Sequence, residues 1–303
     1  MMRILVTDGM EKNAIEDLRS KDYEVVEKFY EPEILGDMLQ EFDVVVVRSA
    51  TKIRQPIIDK AAEGGKLKLI IRGGVGVDNI DVAYAMEKGI KVSNTPNASS
   101  ASVAELAIAH MFAVSRFINI SNVSMRQGKW DKKKYEGVEI AGKTLGLIGF
   151  GRISRELAKK ASALGMTVIY TDIIGKAKDC DEYEFFELND VLKKSDYVSL
   201  HIPFFKEKGA TIGKEQLAIM KDGAILINCA RGGVVDEVAL VEALDNGKLA
   251  GAGVDVFVEE PTKNEALVNH PKVSVTPHIG AATKEAQTRI GAEISGIIYD
   301  FFK

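Results

Sequence analysis

Short runs of β-branched residues alternate with helical stretches from one end of the chain to the other. Uninterrupted apolar strands, such as the four valines at 44–47, are typical of a sheet that is covered on both faces. The alternation therefore predicts an α/β fold built on doubly wound parallel sheets. In the first third we expect strands at 3–7, 24–27, 44–47, 69–71 and 91–93, and helices at 11–20, 31–40, 55–63 and 80–88.

The pattern changes at "NTPNASSASVAELAIAHMFAVSRF", where Asn97 or Ser99 can cap a long helix that is apolar on more than one face. Such a helix is buried or lies at an interface, and His110 on it is expected to pack. A second series then predicts strands at 144–148, 167–171, 197–200, 224–228, 251–256 and 273–275 and a helix over 283–303. The length of 303 residues suggests two domains. We expect a discontinuous first domain, 1–97 and 280–303, around a second domain, 98–279, with a cleft between them.

Composition excludes several classes of function. A net charge of −4 gives no electrostatic case for a nucleic acid or an acidic membrane as partner. No apolar run approaches the roughly 18 residues that span a bilayer, and the N-terminus lacks a signal peptide. Cys180 and Cys229 have neither CxxC nor metal-site spacing. We therefore expect a cytoplasmic protein without a disulfide or a metal.

The stretch "TLGLIGFGRISRELAKKASALGMTVIYTD" combines a strand, a glycine-rich turn, a helix, a second strand and an acidic residue. Gly149 permits the tight turn, and Gly151 lets the backbone approach a pyrophosphate at the helix N-terminus. Ser154 stands where the fingerprint has a third glycine, but it is small. Asp172 can accept hydrogen bonds from the ribose of NAD and repels the 2′-phosphate of NADP. The spacing of the whole unit predicts an NAD site.

Three residues with chemical potential follow strands of the second series: Arg231 after "ILINCA", Glu260 after "GVDVFVE" and His278 after "VSVTP". A histidine can take the hydroxyl proton of an alcohol, a carboxylate can hold its ring, and an arginine can bind a substrate carboxylate. The set fits oxidation of a 2-hydroxy acid. The spacing alone leaves Glu259 open as the inward acid. His201 and His270 compete with His278, and we expect a crevice wall or packing role for the first and solvation for the second.

The motifs "LGLIGFGRIS", "NCARGGVVDE", "GAGVDVFVEEP" and "TPHIGAATKEAQ" resemble the D-isomer-specific 2-hydroxyacid dehydrogenase family over essentially the whole chain. The resemblance implies a flavodoxin-like substrate domain and a Rossmann nucleotide domain, with Arg231, Glu260 and His278 as the catalytic residues. It also implies cofactor contacts, which would fall on Arg152, Ile153, Asp172, Ile202, Cys229, Ala230, Asp255, Gly280 and Ala281.

Four further stretches, "VVVRSATKI", "IIRGGVGVDNID", "VSNTPN" and "GKWDKKKYEGVEIAGKTLG", resemble the phosphoglycerate dehydrogenases of that family. This implies oxidation of D-3-phosphoglycerate to 3-phosphohydroxypyruvate, which begins serine synthesis. The 303 residues leave no room for the serine-binding domains of many relatives, so we expect none. The alternatives are a glycerate, hydroxypyruvate or glyoxylate reductase, or a nucleotide-sensing binding protein on the same fold.

A substrate that carries both a carboxylate and a phosphate needs local positive charge. Arg48, with Ser49 beside it, and Arg72 both follow strands of the first domain, and Gly73 and Gly74 offer backbone N–H groups to a carboxylate. The connector adds three lysines, at 132–134, although a lysine run is usually a solvated loop. In similar proteins the preceding helix packs across a dimer axis. We therefore predict a homodimer through 98–135 in which at least one of the three lysines reaches the partner's site, with Lys132 as the named candidate and the choice among 132–134 left open.

Overall fold

The computed structural model describes every residue from Met1 to Lys303. The chain divides into two compact units, of which the first contains Met1–Ser99 and Ala281–Lys303 and the second contains Ser100–Gly280. The sequence placed the corresponding boundaries after residues 97 and 279. The polypeptide thus begins in the first unit, forms the whole of the second, and returns to complete the first.

The first unit is a five-stranded parallel sheet with the strand order β2-β1-β3-β4-β5. Its elements are β1 Arg3–Val6, α1 Lys12–Ser20, β2 Glu24–Glu27, α2 Pro32–Leu39, β3 Val44–Val47, α3 Gln55–Glu63, β4 Leu69–Arg72, α4 Val82–Glu87, β5 Lys91–Asn94 and the C-terminal helix Lys284–Phe301. The order is that of the flavodoxin-like fold.

The valines of β3 show why this sheet is covered on both faces. Successive side chains of a strand point to opposite faces. Val45 and Val47 pack in one apolar cluster with α2, α3 and α4, whereas Val44 and Val46 pack in a second cluster with α1 and the C-terminal helix. The Tyr299 hydroxyl of that last helix also donates to Asp17 Oδ2 of α1 at 2.6 Å. The returning segment therefore closes one face of the first sheet.

The second unit is a seven-stranded parallel sheet with the order β12-β11-β10-β9-β6-β7-β8. Its elements are α5 Ser100–Ser115, α6 Ile118–Arg126, a short 3-10 helix Lys132–Lys134, β6 Thr144–Ile148, α7 Arg152–Ala163, β7 Thr167–Thr171, β8 Glu184–Phe185, α8 Leu188–Lys194, β9 Tyr197–Leu200, α9 Lys214–Ile219, β10 Ala224–Asn228, α10 Glu237–Asp245, β11 Leu249–Val254, α11 Glu265–Val268 and β12 Val273–Val275. Read from β6 outward, this is the Rossmann order with one additional strand. The predicted fold class, two doubly wound parallel sheets, is confirmed.

Three differences from the sequence prediction in the second unit concern the end of the long helix, the limits of one strand and one strand that was not predicted. The long helix ends at Ser115, and α6 starts after Phe117, whose φ of +55° is left-handed and stops the helix. The strand expected at 251–256 is Leu249–Val254, so the prediction began two residues too late and continued two residues too far. The two-residue strand β8 was not predicted.

No helix is by itself long and apolar enough to cross a membrane, although α5 and α6 together, bent by 63°, would satisfy length and composition.

Candidate active site

The turn after β6 has a conformation that only glycine accommodates at its first position. Gly149 has a φ of +85°, and a Cβ there would lie 2.6 Å from the carbonyl oxygen of His201. Gly151 is exposed, and a Cβ there would meet nothing within 4 Å. Since Gly151 is the residue before α7, the N–H groups of the first helical turn face this open space without intrahelical partners. The turn thus fits the pyrophosphate of a dinucleotide.

Ser154, the departure from the fingerprint, is fully buried in the first turn of α7. Its hydroxyl donates to the carbonyl oxygen of Gly149. The side chain therefore braces the glycine turn instead of obstructing it, which explains why a residue larger than glycine is accommodated.

Asp172 follows β7, and its carboxylate binds the backbone of the glycine turn that follows β6. Oδ2 accepts the N–H of Phe150 at 2.7 Å, and Oδ1 accepts the N–H of Ile174 at 3.1 Å. Each carboxylate oxygen can accept a second hydrogen bond, so ribose hydroxyls can still bind. Ile173 and Ile174 are 97% and 86% exposed. They offer an apolar surface of the kind an adenine ring can cover, which the sequence analysis overlooked although both directly follow the acid.

His278 and Glu260 form a hydrogen-bonded pair. His278 Nδ1 lies 2.7 Å from Glu260 Oε2, and both side chains are 37% exposed. Glu260 Oε1 also accepts the N–H of Phe257 at 3.1 Å. Burial alone would raise the pKa of Glu260, but these hydrogen bonds, with the charges of His278 and Arg231, lower it. An ionised Glu260 binds the Nδ1–H, which leaves the lone pair of Nε2 to accept a proton.

The structure resolves the choice between the two adjacent acids. Glu259 is exposed and pairs with Lys263 at 2.9 Å, so it faces away from His278. Gly232, next to Arg231, packs so tightly against the loop after β11 that a Cβ there would overlap the Phe257 carbonyl oxygen. This close approach brings the loop of Arg231 to the loop of Glu260.

The loop that carries His278 is pinned by Asp255. Asp255 is 1% exposed, and its Oδ1 accepts from the hydroxyl of Thr276 at 2.6 Å and from the N–H of Ile279 at 2.8 Å. Its Oδ2 accepts the N–H of Gly280 at 2.9 Å. His278 has a φ of +53°, which is unfavourable for any residue with a side chain. Asp255, expected as a cofactor contact, therefore also fixes the backbone on both sides of His278.

The remaining residues expected to contact the cofactor lie at one edge of the second sheet, apart from Ala281, which begins the second segment of the first unit. Arg152 and Ile153 start α7, Ile202 follows β9, and Cys229 and Ala230 follow β10. Burial raises the pKa of Cys229, so its thiol stays protonated. The carboxyl ends of parallel strands share one edge, where open α/β sheets bind ligands.

The other three histidines have different environments. His201 follows β9 and lies 2.9 Å from Ser199 Oγ; burial lowers the pKa of its ring to about 3, so it is neutral. His270 was expected to be solvated, and this was wrong, because its side chain is only 9% exposed and binds Asp245 and the Lys272 N–H. His110 is buried on α5, as expected.

In the first unit, Arg48 follows β3 in a loop that two other residues hold. Asp8 Oδ2 accepts the N–H groups of Arg48 at 2.7 Å and Thr51 at 3.0 Å, and Oδ1 accepts the Thr51 hydroxyl at 2.7 Å. Asn79 Nδ2 donates to the carbonyl oxygens of Arg48 and Thr51. Ser49 is exposed between them. The sequence analysis missed Asp8 and Asn79, although Asp8 comes soon after β1.

The predicted backbone contacts of the glycines after β4 require a correction. The N–H of Gly73 donates to the Val47 carbonyl at 2.9 Å, and the N–H of Gly74 donates to the Arg72 carbonyl at 2.9 Å. Both donors are used within the chain, so neither is available to a substrate carboxylate in this arrangement. A Cβ on Gly74 would overlap the guanidinium of Arg72. Arg72 is the last residue of β4, and Gly74 leaves space for its side chain.

The connector lysines differ from one another. All three are exposed, but Lys134 pairs with Asp131 at 3.2 Å. No ion pair involves Lys132 or Lys133. These two are therefore the better candidates for an anion.

Comparison with known proteins agrees with this geometry. Residues 108–280 match the family model described as the D-isomer specific 2-hydroxyacid dehydrogenase NAD-binding domain. The chain is 47% identical over 296 residues to hydroxypyruvate reductase of Thermotoga maritima, covering 96% of this chain and 95% of the relative. It is 45% identical over 299 residues to D-3-phosphoglycerate dehydrogenase of Methanocaldococcus jannaschii, covering 97% of this chain.

The chain spans 56% of the length of that phosphoglycerate dehydrogenase. Among solved structures, D-lactate dehydrogenase from Aquifex aeolicus in complex with NAD and lactic acid superposes with a TM-score of 0.85 at 31% identity. The match covers 98% of this chain and 95% of that one. The glycine turn, the acid after β7 and the matched family model together identify the chain as an NAD-dependent 2-hydroxyacid dehydrogenase of the D-isomer specific 2-hydroxyacid dehydrogenase family.

Proposed function

We propose that the chain oxidises D-3-phosphoglycerate to 3-phosphohydroxypyruvate, the first step of serine biosynthesis. The observation that carries the proposal is the pair of arginines at the carboxyl ends of adjacent strands, Arg48 after β3 and Arg72 at the end of β4. Arg231 is assigned to the substrate carboxylate, so Arg48 and Arg72 are two further cations placed where a second anionic group can bind. A phosphate, with its double charge, accounts for them.

The side chains of the second unit then perform the proton transfer. The glycine turn at Gly149 and the carboxylate of Asp172 would hold NAD, which would supply the acceptor for the hydride on C2 of the substrate. His278 accepts the hydroxyl proton on Nε2, since Nδ1 is held by Glu260. Glu260 stabilises the imidazolium that forms, and Arg231 binds the carboxylate and polarises the neighbouring carbon–oxygen bond. In the reverse direction the same imidazolium returns the proton to the keto oxygen.

Initial rates with a small panel of substrates test the proposal. We expect NADH formation from D-3-phosphoglycerate, and a kcat/KM for 3-phosphohydroxypyruvate about 10-fold or more above that for hydroxypyruvate, since one well-placed ion pair can contribute about 1.4 kcal/mol. Arg48→Gln should remove most of this preference while NADH binding is unchanged. Equal or better use of hydroxypyruvate by the unmodified protein would reject the phosphorylated substrate.

A second candidate is hydroxypyruvate reduction. It is favoured by the 47% identity to a hydroxypyruvate reductase whose length this chain matches to 95%. In that case Arg48 and Arg72 act on the carboxylate or maintain the loops, and Arg48→Gln lowers activity on both substrates alike. The panel therefore separates the two functions with one variant.

The proposed active form is a homodimer through 98–135. Exposed apolar side chains are concentrated there: Ile118, Val123, Met125 and Trp130 are 49%, 54%, 53% and 78% exposed. Light scattering after size-exclusion chromatography should give about twice the monomer mass of 33.0 kDa. A monomer would remove any lysine contributed by a partner subunit.

The connector lysines provide a smaller test with an internal control. Replacing Lys132 and Lys133 together by Ala should raise the KM for D-3-phosphoglycerate several-fold and leave the rate with hydroxypyruvate nearly unchanged, because exposed charges act mainly on the phosphate. Lys134→Ala is the matched control, since Lys134 is already paired with Asp131. Equal losses on both substrates would mean that the connector is structural.

A further inference from the structure

A continuous line of hydrogen bonds crosses the second unit from α6 to the loop of His278. Thr276 Oγ1 lies 2.6 Å from Asp255 Oδ1, and 3.1 Å from His110 Nε2 on its other side. His110 Nδ1 lies 2.9 Å from Ser274 Oγ, and Ser274 Oγ accepts from Asn119 Nδ2 at 2.8 Å. The motif search assigned none of His110, Ser274 and Asn119 a part in the reaction.

The direction of each hydrogen bond in this line follows from counting protons. Thr276 has one hydroxyl proton, which it donates to Asp255, so its oxygen must accept from Nε2–H of His110. A neutral imidazole that donates from Nε2 accepts at Nδ1, so the Ser274 hydroxyl donates there, and Asn119 donates to Ser274. Burial lowers the pKa of His110 despite the opposing charge of Asp255, so the ring is neutral at physiological pH. The hydroxyl protons of Thr276 and Ser274 and the Nε2–H of His110 therefore each have an acceptor.

The packing of α5 places His110 where it can reach this loop. A Cβ on Gly253 of β11 would lie 2.5 Å from Cβ of His110, so the glycine permits close approach of helix and strand. Gly253 is paired with Ser274 of β12. The imidazole thus lies across β11 and contacts the hydroxyls of Ser274 and Thr276, which are on the same face because they are two residues apart.

We propose that His110 is a positioning residue for the dehydrogenase reaction, acting through Thr276 and Asp255 on the loop that presents His278 to Glu260. The proposal rests on the role of His278 as proton acceptor given above. Asp255 holds the N–H groups of Ile279 and Gly280, which follow the left-handed His278. The hydrogen bond from Thr276 to Oδ1 of Asp255 fixes that carboxylate, and His110 fixes Thr276.

Two pairs of variants test the line, each with a conservative partner. His110→Phe and Thr276→Val remove the hydrogen bonds, whereas His110→Gln retains an N–H near the position of Nε2 and Thr276→Ser retains the hydroxyl. Each variant is assayed for kcat and KM with whichever of hydroxypyruvate and 3-phosphohydroxypyruvate the unmodified protein prefers. The dissociation constant of NADH and the Tm are measured on the same samples.

A displacement of about 1 Å at a reacting group lowers the rate on the order of 100-fold. Because Asp255 keeps its own hydrogen bonds to Ile279 and Gly280 in His110→Phe and Thr276→Val, we expect a smaller displacement of His278 and a fall in kcat of about 10-fold. KM should change much less, and His110→Gln and Thr276→Ser should regain most of the rate. If kcat is unchanged in Thr276→Val, or if the conservative variants lose as much as the disruptive ones, the positioning role is refuted. A merely structural role would lower Tm without separating kcat from KM.

His278→Ala separates this inference from the proposed function. Retained turnover in His278→Ala would overturn both, because the proton would then go elsewhere. Loss of turnover there, with normal kcat in His110→Phe and Thr276→Val, would overturn the positioning role alone.

Discussion

In the first sheet the strand order reverses between β1 and β3, and in the second it reverses between β6 and β9. Both points are where open α/β sheets bind ligands. At the reversal point of the second sheet the binding groups belong to the backbone, since Gly149 packs against His201 and Gly151 exposes the start of α7. At the first, the carboxylate of Asp8 holds the loop of Arg48. The same position in the two sheets thus has two different constructions, a glycine turn that exposes N–H groups and a loop that is held by a carboxylate.

The difference teaches what sequence can reveal about each site. A backbone site requires glycine at fixed positions, and such positions are visible in a motif. A side-chain site requires a carboxylate that supports an arginine 40 residues away, and no local pattern records that contact. Variants of Asp172 and Asp8 therefore test one arrangement each, and variants of His278 and Glu260 test the hydrogen-bonded pair of the second unit.

The largest effect is expected at the proton acceptor of the second unit. His278→Ala should reduce turnover about 100-fold or more, because general acid–base catalysis contributes at least that much. NADH should still bind, since the glycine turn and Asp172 are unchanged. Steady-state rates and fluorescence titration with NADH give the two quantities. Near-normal turnover would show that another group takes the proton.

The second largest effect is expected for the preference for NAD over NADP when Asp172 is replaced. A carboxylate facing a 2′-phosphate at about 4 Å is repulsive by several kcal/mol at most, so we expect NAD to be preferred over NADP by about 100-fold in kcat/KM. Asp172→Asn should weaken the preference about 10-fold, while its side-chain oxygen can still accept the Phe150 N–H. Asp172→Ala loses that acceptor too and should also lower Tm. Equal use of NAD and NADP by the unmodified protein would contradict the assignment.

The first unit should respond to loss of the carboxylate that supports Arg48. Asp8→Ala leaves the N–H groups of Arg48 and Thr51 without their acceptor, whereas the Thr51 hydroxyl can still donate to Thr7 Oγ1. We expect the KM for the phosphorylated substrate to rise about 10-fold with little change in NADH affinity. Asp37→Ala, an exposed change on α2, is the control. If the Asp8 and Asp37 variants behave alike, the loop does not depend on Asp8.

The smallest effect concerns acid stability. A carboxylate whose pKa is lower in the folded chain stabilises the fold above its ordinary pKa and loses this contribution as the pH falls through the lowered value. Glu260 has an ordinary pKa of 4.5 and a lowered one in the fold. The Tm advantage of the unmodified protein over Glu260→Gln should therefore persist above pH 4.5 and shrink below it. Its size is limited because the side chain is 37% exposed. A Tm difference that is the same above and below pH 4.5 would contradict this.

Much of the fold followed from the sequence because β-branched runs and glycine turns are local signals. The valines of β3 and the turn at Gly149 needed no information from distant residues. The break at Phe117 could not be predicted, because a left-handed phenylalanine is rare and has no composition signal. The strand at 249–254 was predicted two residues too late, since its first pair, Leu249 with Ala224 of β10, is a contact between residues that are distant in the sequence.

The candidate site followed only in part for a similar reason. Arg231, Glu260 and His278 were visible as polar residues after strands. The choice of Glu260 over Glu259 depends on which carboxylate faces His278, and this is set by the fold of the loop. The sequence also could not show that the N–H groups of Gly73 and Gly74 donate to the carbonyl oxygens of Val47 and Arg72, because these hydrogen bonds depend on the backbone conformation.

The return of the chain to its first unit has a consequence for synthesis on the ribosome. The C-terminal helix covers one face of the first sheet, and its Tyr299 binds Asp17. At about 5 to 20 residues per second, the N-terminal segment therefore waits roughly 10 to 40 s for this helix while the second unit is made. During that time the apolar side chains of Ile4, Val6 and Val44 lack their final cover. The apolar face of the first sheet is thus completed only after the whole second unit has been synthesised.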